Sequence, residues 1–212
     1  MDQHHPYENF PPVEMANSDG LLAIGGKLSV KRLLDAYCNG IFPWYEEFQP
    51  VLWYSPDPRM VLFPDQLKIS RSMKQLLRKK PFRVTFNENF EAVINNCSSV
   101  PRNGQSGTWI TQDLKEAFQK LHKLNIAQSV EVWQDDILVG GLYGIFLKEQ
   151  GVFCGESMFT KVSNASKYGF ITLVEKLKAE GLRIIDCQVY TQHLDSLGAE
   201  EISRKEFLKY LK

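Results

Sequence analysis

The chain has 212 residues, 43% hydrophobic and 24% charged, with 25 Lys and Arg balanced by 25 Asp and Glu. That length allows one domain or two small ones around a sizeable core, and the even charge argues against a polyanionic partner held by bulk electrostatics. The longest apolar stretch, Ile137–Leu147, is too short and too glycine-rich to span a bilayer, and the polar opening at 1–6 lacks the apolar core of a secretory leader.

Up to about residue 60 the chain is loop-rich, with prolines at 6, 11, 12, 43, 50, 56 and 58. One helix stands out there. Ser29 is a good N-cap, Leu33, Leu34 and Tyr37 form an apolar stripe, and Gly40 ends it. Aromatics then concentrate at 41–45 and 51–56 between turn-formers. Two readings stay open for them: a small core packed around prolines, or a cleft rim that stacks on bases or holds an apolar group.

From 66 to 87 no acid occurs, while Lys68, Arg71, Lys74, Arg78, Lys79, Lys80 and Arg83 all fall there. On a helix starting near Ser70, Arg71, Lys74 and Arg78 make one stripe, and Met73, Leu76 and Leu77 face the core. Such a run is either a solvated face or a phosphate-binding surface. The spacing then predicts a strand at 82–86, a helix capped by Asn87 that carries Phe90, Val93 and Ile94, and a helix capped by Thr111 with Leu114, Phe118 and Leu121 on one face. Strands at 127–133, 137–147 and 151–159 follow, joined by turns at 134–136 and 148–150. A long helix at 164–180, a strand at 183–190 and a final helix at 204–211 complete an α+β pattern. A meander, a helix and a returning strand are also the order of an acyltransferase-like sheet that splits open around a substrate.

Within 183–190 an acid and an amide, Asp186 and Gln188, stand two apart in an otherwise apolar strand. Strand geometry sends both to one face, ~6.6 Å apart. A carboxylate is expensive to bury without a partner, so this one is either a structural group tied to backbone amides or part of a working site. Glu156 and Met158 likewise share a strand face, which suits a pocket for an apolar side chain beside a cationic amine; pairing of the Glu with a surface lysine is the plainer alternative. Other chemistries are set aside. Residues 140–144 are not GxGxxG, no GxxxxGK[ST] occurs, and 155–159 fails the GxSxG pattern at its last position. Cys38, Cys97, Cys154 and Cys187 are widely spaced without CxxC, so reduced thiols are expected and no metal site. Cys154 and Cys187 read as buried inert thiols, and His122 and His193 as structural or solvent-exposed.

Eight runs carry a resemblance. Gly-Leu-Leu-Ala-x-Gly-Gly, Gly-Ile-Phe-Pro-Trp, Ser-Pro-Asp-Pro-Arg, Gly-Thr-Trp-Ile, Ser-x-Glu-Val-Trp, Gly-Glu-Ser-Met-Phe, Asn-Ala-Ser-Lys and Ile-Asp-Cys-Gln-Val stand at 20–26, 40–44, 55–59, 107–110, 129–133, 155–159, 164–167 and 185–189. In order and across nearly the whole chain, they resemble the bacterial leucyl/phenylalanyl-tRNA–protein transferases, enzymes of the N-end rule. Lys27, Tyr54 and Gln128 depart from the pattern, where Asp, Trp and His are usual.

The resemblance implies a small N-terminal domain (1–61) and an acetyltransferase-like α/β domain (62–212) with a mixed, mainly antiparallel sheet. It implies transfer of Leu, and less efficiently Phe or Met, from aminoacyl-tRNA to a protein's N-terminal Lys or Arg, in the cytoplasm, by a monomer without cofactor. Asp186 is then expected to polarise Gln188, whose amide oxygen accepts a hydrogen bond from the incoming α-amine. Leu142, Phe153 and Met158 are expected in the aminoacyl pocket, Trp53 and Trp109 stacked on the terminal adenosine, and Glu156 and Ser157 against substrate. Arg71, Lys74, Arg78, Lys79, Lys80 and Arg83 are expected on the tRNA phosphates. Two rivals remain: a coenzyme A acyltransferase, which needs a pyrophosphate loop that is not found, and a non-catalytic tRNA-binding module, which leaves Asp186 and Gln188 without a task.

Overall fold

The computed structural model describes residues 9–100 and 109–212; the expected polar opening at 1–6 and Gly107 and Thr108 of the fourth run lie outside them. The architecture is α+β. It begins with β1 (Leu21–Ile24), α1 (Val30–Cys38), β2 (Phe42–Pro43) and β3 (Leu52–Tyr54), whose strands form a small antiparallel sheet in the order β1-β3-β2. Ser29 Oγ accepts from the Arg32 amide to open α1, as its residue type requires. Gly40 follows the helix at φ +72°, a conformation that strains any other residue, and a Cβ there would lie 2.8 Å from Leu208 Cδ2, which would have to shift. These short strands are absent from the sequence reading because each has only two to four residues, with glycines flanking β1 and prolines in or near β2 and β3.

The larger sheet takes strands from the whole remaining chain. In order come β4 (Arg59–Leu62), α2 (Arg71–Lys79), β5 (Arg83–Phe86), α3 (Phe90–Ser98), α4 (Gln112–Lys123), β6 (Ala127–Gln134), β7 (Ile137–Leu147) and β8 (Val152–Thr160). Next come α5 (Ala165–Ala179), β9 (Ile184–Gln188), α6 (Gln192–Ser196), β10 (Glu200–Ile202) and α7 (Arg204–Phe207). The seven strands run β10-β4-β9-β8-β7-β6-β5. Neighbours are antiparallel except β8 and β9, whose parallel pairing is made possible by the α5 crossover. Asp135 and Asp136 both have positive φ and close the two-residue β6–β7 turn. The expected division after residue 61 falls inside β4, which belongs to the large sheet.

Two helix-end expectations need correction. Asn89, not Asn87, caps α3 by accepting from the Ala92 amide; Asn87 instead turns at φ +61° and accepts from the Ser129 amide. The final helix keeps only α7, and residues to 211 continue as turns.

One apolar core lies between the sheet and α1, α3 and α4, and holds Tyr37, Phe118, Tyr143 and Phe207. The opposite face packs under α5, where Phe153, Phe170, Leu142 and Ile185 meet, and under α2 through Met73 and Tyr168. The glycine run at 140–144 serves this packing: a Cβ on Gly140 would stand 2.8 Å from the Ala165 Cβ, so α5 settles directly on β7. No described helix is long and apolar enough to cross a membrane.

Candidate active site

β8 and β9 stay paired only from Val152–Cys154 to Ile184–Asp186. Beyond that point β8 remains with β7 while β9 pairs with β4, and the sheet opens. Each arm carries an extra residue at the opening. On β8 the register steps from Gly144↔Gly155 to Tyr143↔Ser157 and leaves Glu156 unopposed. On β9 it steps from Val61↔Asp186 to Met60↔Gln188 and leaves Cys187 unopposed. Bulges re-aim side chains. Here they turn Glu156 and Gln188 toward each other across the gap, with Gln188 held at φ +63°.

The opening is a cavity of about 570 Å³. Leu142, Phe153, Met158, Phe170 and Ile185 make its apolar walls, and the aromatic side chains of Phe42, Trp44 and Trp109 line it as well. Glu156, Ser157, Gln188 and His193 supply its polar groups, and Val189, Tyr190 and Thr191 border it after β9. Expected pocket residues Leu142, Phe153 and Met158 therefore do line one cavity with Trp109, Glu156, Ser157 and Gln188.

Asp186 lies behind that wall. Arg59 Nε and Nη2 donate to its two oxygens at 2.7 Å each, and both residues are 1% exposed. Arg59 Nη1 donates to the Gly40 carbonyl, and its guanidinium lies 4.8 and 4.9 Å from the ring centroids of Phe42 and Phe207. A buried bidentate pair of this kind leaves a large penalty behind if either partner is removed. Asp186 Oδ1 also accepts from the Gln188 backbone amide at 3.0 Å. The expected contact between the Asp186 and Gln188 side chains is thus corrected: the bulge at Cys187 breaks strand alternation, so Asp186 fixes the backbone of Gln188 and not its amide group.

The Gln188 side chain instead meets Glu156. Its Nε2 donates to Glu156 Oε1 at 3.2 Å, and the Tyr37 hydroxyl, from α1, donates to the same oxygen at 2.8 Å. Burial pushes the Glu156 carboxyl up to about 8; the Tyr37 and Gln188 hydrogen bonds and the Arg59 charge oppose that rise, and the Asp186 charge adds to it. Burial and the Glu156 charge push the Tyr37 hydroxyl well up. The Cys154 and Cys187 thiols are also raised, first by burial and then by Asp186, which suits their reading as inert. His193 is pushed down by burial and by Lys167.

Trp53 is a second correction. It is fully buried in β3 and its Nε1 donates to the Gly25 carbonyl at 2.9 Å, so it offers no face to a ligand. Trp44, 39% exposed, stands at the cavity in its place. The 40–44 run points to that position, but period-two reasoning does not choose between Trp44, just past β2, and Trp53 within β3. Tyr37 and Arg59 carried no sequence signal beyond an apolar stripe and a proline-rich motif, because their partners lie 119 and 127 residues away.

The basic run forms the outer face of α2 and the loop after it. Arg71, Lys74, Arg78, Lys79, Lys80 and Arg83 are exposed while Met73 is buried against α5. Arg83 pairs with Asp136 at 3.3 Å and covers Trp133, whereas the other five form no ion pair among the described residues. Among those residues, no group of three or more His, Cys, Asp or Glu side chains could hold a metal ion.

The family described as leucyl/phenylalanyl-tRNA protein transferase matches residues 61–212, and its N-terminal domain matches residues 26–57. A leucyl/phenylalanyl-tRNA–protein transferase of Christiangramia forsetii is 63% identical over 98% of this chain and 98% of its own, and one of Flavobacterium johnsoniae is 59% identical over 96% and 95%. Among solved structures, a GCN5-related N-acetyltransferase from Kribbella flavida aligns with 78% of this chain and 58% of its own at 11% identity and a TM-score of 0.38.

Proposed function

This chain belongs to the leucyl/phenylalanyl-tRNA–protein transferase family, and on that premise we propose that it moves leucine, and less readily phenylalanine or methionine, from the 3′ end of an aminoacyl-tRNA to the N-terminal Lys or Arg of acceptor proteins. The products are then N-end rule substrates for degradation. The enzyme works as a cytoplasmic monomer without cofactor, since an aminoacyl ester is already activated. The observation that carries this reading is the cavity itself, apolar along its walls and closed at one end by Glu156 and Gln188.

The donor side chain enters between Leu142, Phe153 and Met158. A side chain branched at Cβ crowds such walls, while one methylene changes binding by only ~1–3 kcal/mol, so discrimination is graded. Trp44 and Trp109 stack on the terminal adenosine, and Ser157 borders the ester. Gln188 gives its Nε2 to Glu156, so its amide oxygen is left to align the incoming α-amine. Asp186 is a positioning residue that holds the Gln188 backbone, and Arg59 holds Asp186. The α2 face takes acceptor-stem phosphates through Arg71, Lys74, Arg78, Lys79 and Lys80, with Arg83 at its edge, by charge more than by base sequence.

Incubation with Leu-tRNA and an Arg-starting peptide tests the reading by peptide mass. A gain of one leucyl residue is the expected result. No gain, with acetyl transfer from acetyl-coenzyme A instead, would overturn it.

A further inference from the structure

Glu156 is held in an asymmetric way. Both of its fixed donors, the Tyr37 hydroxyl and Gln188 Nε2, lie on Oε1, while Oε2 accepts no hydrogen bond among the described residues and the side chain borders the cavity. The bulge makes Glu156 unopposed on β8, so neither neighbouring strand turns it away. We propose that Glu156 is the proton acceptor of the transfer, taking through Oε2 the proton that the attacking α-amine must lose, and that Tyr37 positions it for that task. The proposal rests on the aminoacyl-transfer reading above.

The step balances without an added reagent. The neutral amine's lone pair forms the C–N bond, and the ester's π pair moves to the carbonyl oxygen. Glu156 Oε2 takes one proton from the new ammonium nitrogen. The oxyanion then collapses, the bond from carbon to the ribose oxygen breaks, and that oxygen leaves with the electron pair and takes the proton from Glu156. Amide and tRNA hydroxyl are formed, and Glu156 returns to its ionised state.

The surroundings suit this role. Burial brings Glu156 to about 8, beside the ordinary range of an α-amine, about 7.7–8.0, and a base works best when matched to its proton donor. The groups that face it are Tyr37 from α1, Cys154 from β8 and Gln188 from β9, with the Arg59–Asp186 pair behind them and Tyr143 from β7 next to Tyr37. Cys187 is raised and buried, and His193, which also lines the cavity, is pushed below its ordinary value and is the poorer proton acceptor.

The test is the single-turnover rate of leucyl transfer to a saturating Arg-starting peptide between about pH 6 and pH 9.5, for the wild type, Glu156→Gln and Tyr37→Phe. The acceptor amine titrates alike in all three, so differences between profiles belong to the enzyme. Glu156→Gln is expected to slow transfer ~10²–10⁴-fold with Leu-tRNA binding retained, and to lose the enzyme's own rise through about 8. Tyr37→Phe removes a donor that favours the ionised carboxylate, so its midpoint moves to higher pH while the rate above that midpoint approaches the wild type's. A Glu156→Gln enzyme that keeps the wild-type kcat and only raises KM for the peptide would overturn the proposal, as would an unmoved midpoint in Tyr37→Phe. Absence of transfer by the wild type at every pH would instead remove the underlying reading.

Discussion

Glu131 and Glu156 are carboxylates two strands apart in one sheet, and they are satisfied in opposite ways. Glu131 is fully buried and has donors on both oxygens: Ser129 Oγ and the Asn89 amide on Oε1, Thr85 Oγ1 and the Glu88 amide on Oε2. It ties the β5–α3 connection to β6 and has no capacity left for a ligand. Glu156 carries both donors on one oxygen and opens on the cavity. A buried charge whose every lone pair is used is a structural clamp, whereas one with an unused oxygen facing a cavity has chemistry to do. Asp186 belongs with Glu131, since Arg59 covers both of its oxygens.

The closed carboxylates are best broken through their partners, and the largest effect is expected at Arg59. Arg59→Met leaves Asp186 buried and uncompensated and should destabilise the fold by about 3–5 kcal/mol, read from urea melts. Arg59→Met with Asp186→Leu should recover part of that loss. If Arg59→Met unfolds like the wild type, the pair is not a clamp, and Asp186 has to be returned to the chemistry.

The same contrast between committed and open charge applies to the basic residues. Arg59 and Arg83 have anionic partners, but Lys74, Arg78, Lys79 and Lys80 do not among the described residues. Replacing those four by Ala should flatten the dependence of log Kd for tRNA on log salt by about 3, at 0.7–0.9 per lost phosphate contact. An unchanged slope would move the tRNA surface away from α2. Below this comes Glu131→Gln, which puts an amide NH2 where an oxygen accepts from fixed donors and should cost about 1–3 kcal/mol of stability. Its transfer rate should keep the wild-type pH profile, the outcome that separates it from Glu156→Gln.

How far the sequence foretold this follows from what each feature depends on. Strands β6 to β8, the cap at Ser29, the helix start at Ser70 and the break at Gly40 rest on contacts within a few residues, so period and residue type reveal them. The 155–159 segment was visible as an unusual mixture of charge and flexible apolar side chain. An assumption of strict alternation puts Glu156 and Met158 on one face, whereas it is a bulge that aims Glu156. The same assumption failed on β9, where one extra residue sends the Asp186 side chain to Arg59 and the Gln188 side chain to Glu156. Tyr37 belongs to the apolar stripe of α1 by its ring; its hydroxyl finds a partner only when α1 is brought against β8, 119 residues away in sequence. Period-two patterns carry no information on bulges, and propensity carries none on pairs more than a hundred residues apart.

The smallest expected effect sharpens the comparison most directly, because it sets the open carboxylate against its neutral isostere. The Glu156 carboxyl goes from an ordinary value of 4.5 in the unfolded chain to about 8 in the folded one. Between those values the folded protein holds a proton that the unfolded chain has released, so this group's contribution to stability is intact below 4.5 and is lost as pH rises through 8. Glu156→Gln has no such titration. Its stability relative to the wild type should therefore climb from about pH 5 to pH 8 and level off above, by on the order of 1 kcal/mol once solvent in the cavity is allowed for. For a chain of this length that is about 2–4 °C in Tm. Glu131→Gln, measured in the same buffers, should lie below the wild type throughout. A stability difference for Glu156→Gln that stays flat with pH would mean that the carboxylate is solvated like a surface group, and its contrast with Glu131 would disappear.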